Sequence, residues 1–143
     1  MERPVRILVV DDNLPLRLMV AQALEERGYV TVAAESGEAA LEAAAYEPPD
    51  LCVIDFLMPG MSGAELIRAL RASPDARLRR VPAIGLTAYD SGESELLAAG
   101  AALVLRKPWN EEAVLEAVER LLPPAGPPAP AKAPLTPCAP PGP

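Results

Sequence analysis

Short runs of apolar residues alternate with longer amphipathic segments along most of the chain. Five of the runs are rich in Val, Ile, Leu and Ala, which is typical of strands covered on both faces in a parallel sheet. The predicted strands are Val5–Val10, Tyr29–Ala33, Leu51–Ile54, Val81–Leu86 and Ala102–Leu105. The predicted helices are Leu14–Arg27, Ser36 to about Tyr46, Ser62 to about Ala72, Ser91–Ala99 and Glu111–Leu122. The segment from Ser73 to Arg80 is predicted to be a loop.

Polar residues stand where these helices should begin. Ser62 and Glu65 have the spacing of a capping box, in which each side chain bonds the backbone N–H of the other residue. Asn13, Ser36 and Asn110 precede three other amphipathic segments and can accept a hydrogen bond from the first turn. The sequence therefore predicts strand-to-helix transitions at defined positions.

Alternation of strands and helices predicts a doubly wound α/β fold built from five βα units. Residues 1–122 form one predicted domain. Ten of the 21 residues from 123 to 143 are proline, so this segment is expected to be an extended or disordered tail or linker. In a doubly wound sheet, the ligand crevice lies at the carboxyl ends of the strands, where the strand order reverses.

Composition and charge narrow the classes of function. The chain has a net charge of −7, and the segment after Leu122 contains one Lys and no acid. An acidic body argues against nucleic-acid binding and is compatible with holding a cation. Cys52 and Cys138 have neither metal-site spacing nor a disulfide framework. No leader pattern or run of about 20 apolar residues is present, so we expect a cytoplasmic protein that does not enter the membrane.

Charged and hydroxyl side chains stand at the carboxyl ends of four predicted strands. They are Asp11 and Asp12, Asp55, Thr87 and Lys107. Three neighbouring carboxylates repel one another unless a cation joins them, and an all-oxygen ligand set favours a hard ion such as Mg²⁺. An added ammonium and hydroxyl suit phosphoryl transfer, in which positioning and charge neutralisation supply most of the catalysis. One carboxylate can then be the nucleophile that forms an acyl phosphate.

Four segments carry a resemblance to a known family. They are Asp11-Asp12, Asp55 to Gly63, Leu86-Thr87-Ala88 and Lys107-Pro108. Over about residues 5 to 122 the chain resembles the CheY-like receiver domain of two-component response regulators. The resemblance implies a flavodoxin-like three-layer sandwich with a parallel sheet in the order 2-1-3-4-5.

The resemblance also implies how a metal ion is held. Asp12 and Asp55 would bind Mg²⁺ directly, and Asp11 would help through a water molecule. The backbone carbonyl of Leu57 would supply a further ligand.

The same resemblance assigns the phosphoryl chemistry. Asp55 would accept a phosphoryl group from a histidine kinase or a histidine phosphotransfer protein, and Thr87 and Lys107 would bind the phosphoryl oxygens. Pro108 would follow a cis peptide bond that aims Lys107. Such a domain is not an enzyme acting on a separate substrate. It catalyses only its own phosphorylation and dephosphorylation, and it switches contacts with a downstream protein target.

Three positions depart from the family pattern. Val104 stands three residues before Lys107, where family members often have Tyr or Phe, so the switch is expected to use Thr87, the loop after it and the fourth predicted helix. Leu57 and Tyr89 follow the acceptor and the Thr by two residues. An apolar Leu and a bulky Tyr are expected to shield the acyl phosphate from water and to slow self-dephosphorylation.

Several alternatives stay open on the sequence. The chain is either a stand-alone phosphoacceptor, a receiver module whose effector follows the Pro-rich segment, or a scaffold that does not cycle phosphate. A small Mg²⁺-dependent phosphohydrolase would usually carry a second Asp two residues after its nucleophile, where this chain has Leu57. Transcriptional relatives that dimerise usually carry a basic residue in the fourth helix and an acid near the start of the fifth strand. Here the charged residues of Ser91–Ala99 are all acidic, and Ala102-Leu103 stands in place of the acid. We therefore expect a monomer or a weak homodimer that does not contact nucleic acid directly.

Other sequence features have an ordinary structural explanation and a functional one. Trp109 is expected to pack against the last helix, with a partner contact as the alternative. A cluster of five arginines is expected to form a solvated surface, and docking of a partner is the alternative. Its members are Arg68, Arg71, Arg77, Arg79 and Arg80. Pro127 to Pro130 form a PxxP pattern that is expected to belong to a spacer.

Overall fold

The computed structural model describes residues 4–108 and 110–122, so Trp109 and the Pro-rich segment from 123 lie outside the described residues. The strands in this part of the chain are β1 Arg6–Val10, β2 Val30–Ala34, β3 Leu51–Asp55, β4 Ala83–Thr87 and β5 Leu103–Arg106. The helices are α1 Leu14–Glu26, α2 Gly37–Tyr46, α3 Gly63–Arg71, α4 Ala76–Arg80, α5 Asp90–Ala99 and α6 Glu111–Leu121.

The five strands form one parallel sheet in the order β2-β1-β3-β4-β5, which confirms the expected topology. Successive residues of a strand point to opposite faces, and both faces are covered by helices. Ile7 and Val9 of β1 pack on one face, whereas Leu8 and Val10 pack on the other. This two-sided burial is the reason that the strands appear in the sequence as nearly continuous apolar runs.

Two separate cores make the three-layer sandwich. On one face, β-strand side chains pack against α1 and α6 through residues such as Leu24 and Val118. On the other face, they pack against α2, α3 and α5 through residues such as Leu66 and Leu96. The largest buried side chains are almost all Leu, Ile and Val, as expected from the low aromatic content.

The predicted loop from Ser73 to Arg80 contains the short helix α4. The Asp75 carboxylate caps it by accepting a hydrogen bond from the Arg77 N–H at 2.9 Å, and Leu78 is buried beneath it. A helix of five residues offers one apolar contact and no repeating pattern, so hydrophobic periodicity could not reveal it. The other element boundaries coincide with the predicted ones or differ from them by one or two residues.

The capping predictions are confirmed. Ser62 and Glu65 form the reciprocal capping box at the start of α3, with N···O distances of 3.2 and 2.9 Å. Asn13, Ser36 and Asn110 each accept a backbone hydrogen bond at the start of α1, α2 and α6. Among the described residues, none of the helices combines the length and the hydropathy that crossing a membrane requires.

Candidate functional site

The sheet register brings the polar strand ends together at one edge. Asp55 pairs with Leu86 of β4, and Thr87 pairs with Arg106 of β5, so Asp55, Thr87 and Lys107 stand at the carboxyl ends of three adjacent strands. They border an open cleft of about 330 Å³. It is lined by Asp11, Asp12, Asn13, Leu16, Asp55, Leu57, Thr87, Ala88, Tyr89 and Lys107. All five side chains expected from the sequence to act at the site therefore line this cleft.

Three carboxylates form the negative end of the cleft. Asp11, Asp12 and Asp55 each offer an oxygen, and these oxygens lie within 4.8 Å of one another. Asp11 and Asp55 are each only 3% exposed, whereas Asp12 is exposed to solvent. Oδ2 of Asp11 and Oδ1 of Asp55 are both buried without a hydrogen-bond partner. Leaving buried carboxylate oxygens unbonded is costly, so the arrangement is suited to a ligand that supplies positive charge.

The positively charged side chain of Lys107 lies beside Asp55 in the cleft. Its Nζ lies 3.1 Å from Oδ1 of Asp55, and the peptide bond to Pro108 is cis, as expected. The distance would allow a hydrogen bond, but the angles at Oδ1 do not, so the contact is an ion pair. The Lys107 backbone N–H donates to the Thr87 carbonyl at 2.8 Å, which holds the loop after β5 against β4.

Burial and mutual repulsion raise the pKa values of the two inner carboxyls. Burial, followed by the charge of the neighbouring Asp11, raises the pKa of Asp55 to about 6, although Lys107 opposes both effects. Burial also raises the pKa of Asp11, against the hydrogen bond from the Asn13 N–H at 2.9 Å and the charge of Lys107. A bound divalent cation would remove this repulsion and favour the ionised carboxylates.

The donor set fits Mg²⁺. It contains only oxygen atoms, two of which are buried without a hydrogen bond, and the exposed Asp12 leaves one side of the cleft open to water. Mg²⁺ is usually bound by one or two carboxylates while keeping several waters, and this cleft provides both conditions. Leu57 also lines the cleft, and the metal contact expected of its backbone carbonyl stays a prediction.

Thr87 supplies the hydroxyl at the end of β4. It is 2% exposed, and its Oγ1 accepts a hydrogen bond from the Tyr89 N–H at 3.1 Å. A hydroxyl can accept one bond and donate another, so its proton remains available to a ligand oxygen in the cleft.

Sequence reasoning missed three residues that shape the site. Arg17 of α1 donates from Nη1 to the Asp11 carbonyl at 2.7 Å and ties the helix to the turn that follows β1. Gly92 of α5 lies against the Thr87 hydroxyl, and Gly63 of α3 lies against the Asp55 carbonyl, where a Cβ would collide. The sequence shows a glycine near the start of each of these two helices, but only the packing shows that each glycine leaves room for a neighbouring polar atom.

The three departures from the family pattern lie around this cleft or beside it. Leu57 and Tyr89 both line it and are 61% and 52% exposed. Val104 is partly buried against the core on the α5 face of the sheet, so no ring occupies that position. The expectation that Leu57 and Tyr89 lengthen the phosphoryl lifetime stays a prediction.

Comparisons with known proteins agree with this geometry. The family model of the response regulator receiver domain matches residues 7–119. The response regulator MprA of Mycolicibacterium vanbaalenii is 39% identical over 121 residues, which are 83% of this chain and 51% of that protein. The phosphate regulon transcriptional regulatory protein PhoB of Pseudomonas aeruginosa is 35% identical over 123 residues, 85% of this chain and 53% of that protein.

Solved structures show the same likeness. The chemotaxis response regulator CheY4 of Vibrio cholerae superposes with a TM-score of 0.77 at 32% identity, over 84% of this chain and 100% of that one. The response regulator receiver protein of Pseudomonas putida has a TM-score of 0.76 at 29% identity, over 84% and 99%. The chain spans about half the length of the sequence relatives it matches. The fold, the polar strand ends and these matches together show that the chain belongs to the response regulator receiver domain family.

Proposed function

We propose that Asp55 is the phosphoacceptor of a two-component phosphorelay and that it is phosphorylated while Mg²⁺ is bound. The phosphorylated domain then changes its contacts with a downstream protein. The donor would be a histidine kinase or a histidine phosphotransfer protein. Membership of the response regulator family supports this class of donor. The catalysis concerns only the domain's own phosphoryl group.

The observation that carries the proposal is the surroundings of Asp55. Its Oδ1 is buried and lacks a hydrogen bond, the Lys107 ammonium lies 3.1 Å away, and two further carboxylates stand within 4.8 Å. A purely structural aspartate would have its oxygens bonded by backbone N–H groups or exposed to water. This one faces an open cleft with a cation on one side and a metal-type donor set on the other.

The chemistry follows from these positions. A carboxylate oxygen of Asp55 attacks the phosphorus of a phosphohistidine, the P–O bond forms, and the P–N bond to the imidazole breaks. Lys107 and the Thr87 hydroxyl would bind two of the phosphoryl oxygens as their charge is redistributed. Asp11, Asp12 and Asp55 would hold Mg²⁺, with the Leu57 carbonyl, and the ion would neutralise the negative charge that accumulates in the cleft.

The readout is proposed to run through the segment from Thr87 to α5. Arg106 of β5 donates to the Ala88 carbonyl at 3.3 Å and ion-pairs with Asp90 and Glu93 at 2.6 and 3.3 Å. This segment therefore connects the hydroxyl in the cleft to an exposed charged face. Any movement of Thr87 toward a phosphoryl group would displace the residues that Arg106 holds.

Beryllofluoride, a phosphoryl mimic, tests the proposal directly. Added with Mg²⁺ to the ¹⁵N-labelled chain, it is expected to shift the backbone resonances near Asp55, Thr87 and Lys107 and those at the start of α5. Mg²⁺ alone should perturb only the residues around the three acids. If Mg²⁺ binds and beryllofluoride then changes nothing, the acceptor role is wrong and the scaffold alternative is favoured.

Asp12→Asn is expected to weaken Mg²⁺ binding by about tenfold or more, because it removes one of the direct carboxylate ligands. Asp12 is exposed, so the fold should be unaffected. Calorimetric titration with Mg²⁺ measures the change, and Glu38→Gln on α2 is the control, since that exposed acid does not line the cleft. Equal affinities of the Asp12 variant and the wild type would show that the metal lies elsewhere.

The double variant Leu57→Asn, Tyr89→Ala is expected to lose its phosphoryl group several times faster than the wild type, because smaller or polar side chains admit water to the acyl phosphate. Decay of the phosphorylated fraction after donor removal gives the half-life. Leu97→Asn is the control, since Leu97 is a similarly exposed leucine on α5 outside the cleft. A half-life longer than that of the wild type would overturn the shielding argument.

We further propose that this domain acts through protein contacts without touching nucleic acid, as a monomer or weak homodimer in the cytoplasm. Its net charge of −7 supports the first point. PhoB is described as a transcriptional regulator, but the matched region is about half of that protein. Whether an effector follows the Pro-rich segment from 123 stays open, and the full reading frame would decide it.

A further inference from the structure

Positive charge is concentrated on one surface, at α3 and α4. Five of the chain's 13 basic residues lie between positions 68 and 80, where Asp75 is the single acid. Arg71 is partly buried, and the other four are exposed. We call these four the arginine surface: Arg68, Arg77, Arg79 and Arg80. The rest of the chain carries 19 acidic and eight basic residues, so this surface stands out against an acidic protein.

The positive charge of the arginine surface is mostly unneutralised. Within the described residues, the side chains of Arg68 and Arg80 make no ion pair or hydrogen bond. Arg79 donates to the carbonyls of Ser73 and Pro74 at 3.0 and 2.9 Å, which fixes its side chain without cancelling its charge. Only Arg77 has an acidic partner, at 3.1 Å, and its side chain is 72% exposed. A side chain that is already held loses less entropy when it binds a partner.

A second feature adjoins this surface. A cleft of about 420 Å³ is lined by Arg6, Glu47, Pro48, Pro49, Asp50, Arg77, Arg80, Val81 and Pro82. Three prolines and a valine give it apolar walls with few N–H donors, and two arginines of the surface stand at its rim. The acids at the rim are engaged by Arg6, whose guanidinium pairs with Glu47 at 2.6 Å and whose N–H donates to Asp50 at 2.8 Å. The cleft can therefore take an apolar side chain next to carboxylates bound by the arginines.

The position of this cleft separates it from the phosphoryl chemistry. Pro82 accepts a hydrogen bond from the Cys52 N–H at 2.9 Å, so the cleft lies at the amino ends of β3 and β4. Asp55 is the last residue of the five-residue strand β3, so it lies at the carboxyl ends of the strands, about 13 Å from the first residue of β3. A partner seated on the arginine surface would leave the phosphoryl cleft open.

We propose that the arginine surface docks an acidic segment of a protein partner, with an apolar side chain of that segment in the proline cleft, whether or not Asp55 is phosphorylated. Charge complementarity favours a short acidic segment, because a long polyanion such as nucleic acid would extend over the acidic remainder of the chain. The Pro-rich segment from 123 does not complement the surface, since its one charged residue is Lys132. Docking here would keep a partner beside the domain between cycles of phosphorylation.

The test uses the full ¹⁵N-labelled chain and a synthetic oligoglutamate peptide that contains one Phe. Resonance shifts are expected within residues 68–80 and around the proline cleft, and the affinity should be the same with and without beryllofluoride and Mg²⁺. Raised salt should weaken binding. The double variant Arg68→Gln, Arg80→Gln is expected to bind about tenfold more weakly. Arg27→Gln is the control, because Arg27 is ion-paired with Glu119 on α6, away from the arginine surface, and should not change the affinity.

Four outcomes would overturn the proposal. Shifts centred elsewhere, or unchanged binding by the double variant, would show that the arginine surface is only solvated. Equal binding of a single-stranded oligonucleotide would show unselective attraction of polyanions. Equal binding of a peptide without Phe would remove the role of the proline cleft. Because both variants replace exposed side chains, their folding is expected to match that of the wild type.

Discussion

Asp55→Asn is expected to take up no phosphoryl group from a small-molecule phosphodonor or a phosphorylated kinase. The amide has nearly the shape of the carboxylate but is a much poorer nucleophile, and it removes one of the three acids of the metal site. Intact-protein mass spectrometry after incubation with donor and Mg²⁺ measures the phosphorylated fraction. The wild type should gain one phosphoryl group and the variant none.

The same variant separates a chemical defect from a folding defect. Asp55 and Asp11 repel each other in the buried part of the cleft, so the neutral amide is expected to leave the melting temperature unchanged or to raise it. Asp90→Asn is a matched control, because its side chain is 95% exposed and does not line the cleft, and it should be phosphorylated normally. Phosphoryl uptake by the Asp55 variant at the wild-type level would place the acceptor on another residue.

Gly63→Ala is expected to lower the free energy of unfolding by about 3 kcal/mol or more, as overpacking against rigid backbone does. A Cβ on Gly63 would collide with the Asp55 carbonyl oxygen and would lie 3.0 Å from its carbonyl carbon and from Cγ2 of Ile54. The Gly63 N–H also donates to the Phe56 carbonyl at 2.8 Å, so α3 cannot move away without losing that bond. Urea unfolding followed by circular dichroism measures the loss.

Gly60→Ala distinguishes this packing effect from glycine's general flexibility. Gly60 has φ 79°, but its added Cβ would meet only an oxygen of Glu38, at 3.9 Å. Its cost should be the backbone strain of a left-handed alanine, roughly 1 to 2 kcal/mol. If the two substitutions destabilise the protein equally, close approach at Gly63 is not what requires a glycine there.

Most of the fold was predictable because its signals are local. The runs Ile7–Val10 and Leu51–Ile54 contain only apolar residues, and all of them are buried, which indicates strands covered on both sides. Ser62 and Glu65 mark a helix start within four residues of chain. The short helix α4 was missed because one buried leucine, Leu78, leaves no period to detect.

The members of the site were predictable, whereas its electrostatics were not. Asp55, Thr87 and Lys107 can be found by reading the residue at each strand end, since parallel strands place these ends at one edge. Nothing local shows that Oδ1 of Asp55 is buried without a hydrogen bond, or that Arg17 holds the Asp11 carbonyl. The surroundings of Asp55 depend on residues that are far apart in the chain, and the Arg17 contact, although it spans only six residues, depends on how α1 lies against the end of β1.

The amino-acid sequence by itself determined the strands, the helix caps and the set of acids, hydroxyl and ammonium, since each rests on neighbouring residues. Only the tertiary structure decided that Asp55 is 3% exposed with Lys107 3.1 Å away, and that glycines 63 and 92 make room for the Asp55 carbonyl and the Thr87 hydroxyl. It also placed four exposed arginines beside a proline cleft at the opposite edge of the sheet. The physical reason is that burial and through-space charge depend on which segments pack together, and propensities of single segments do not contain that information.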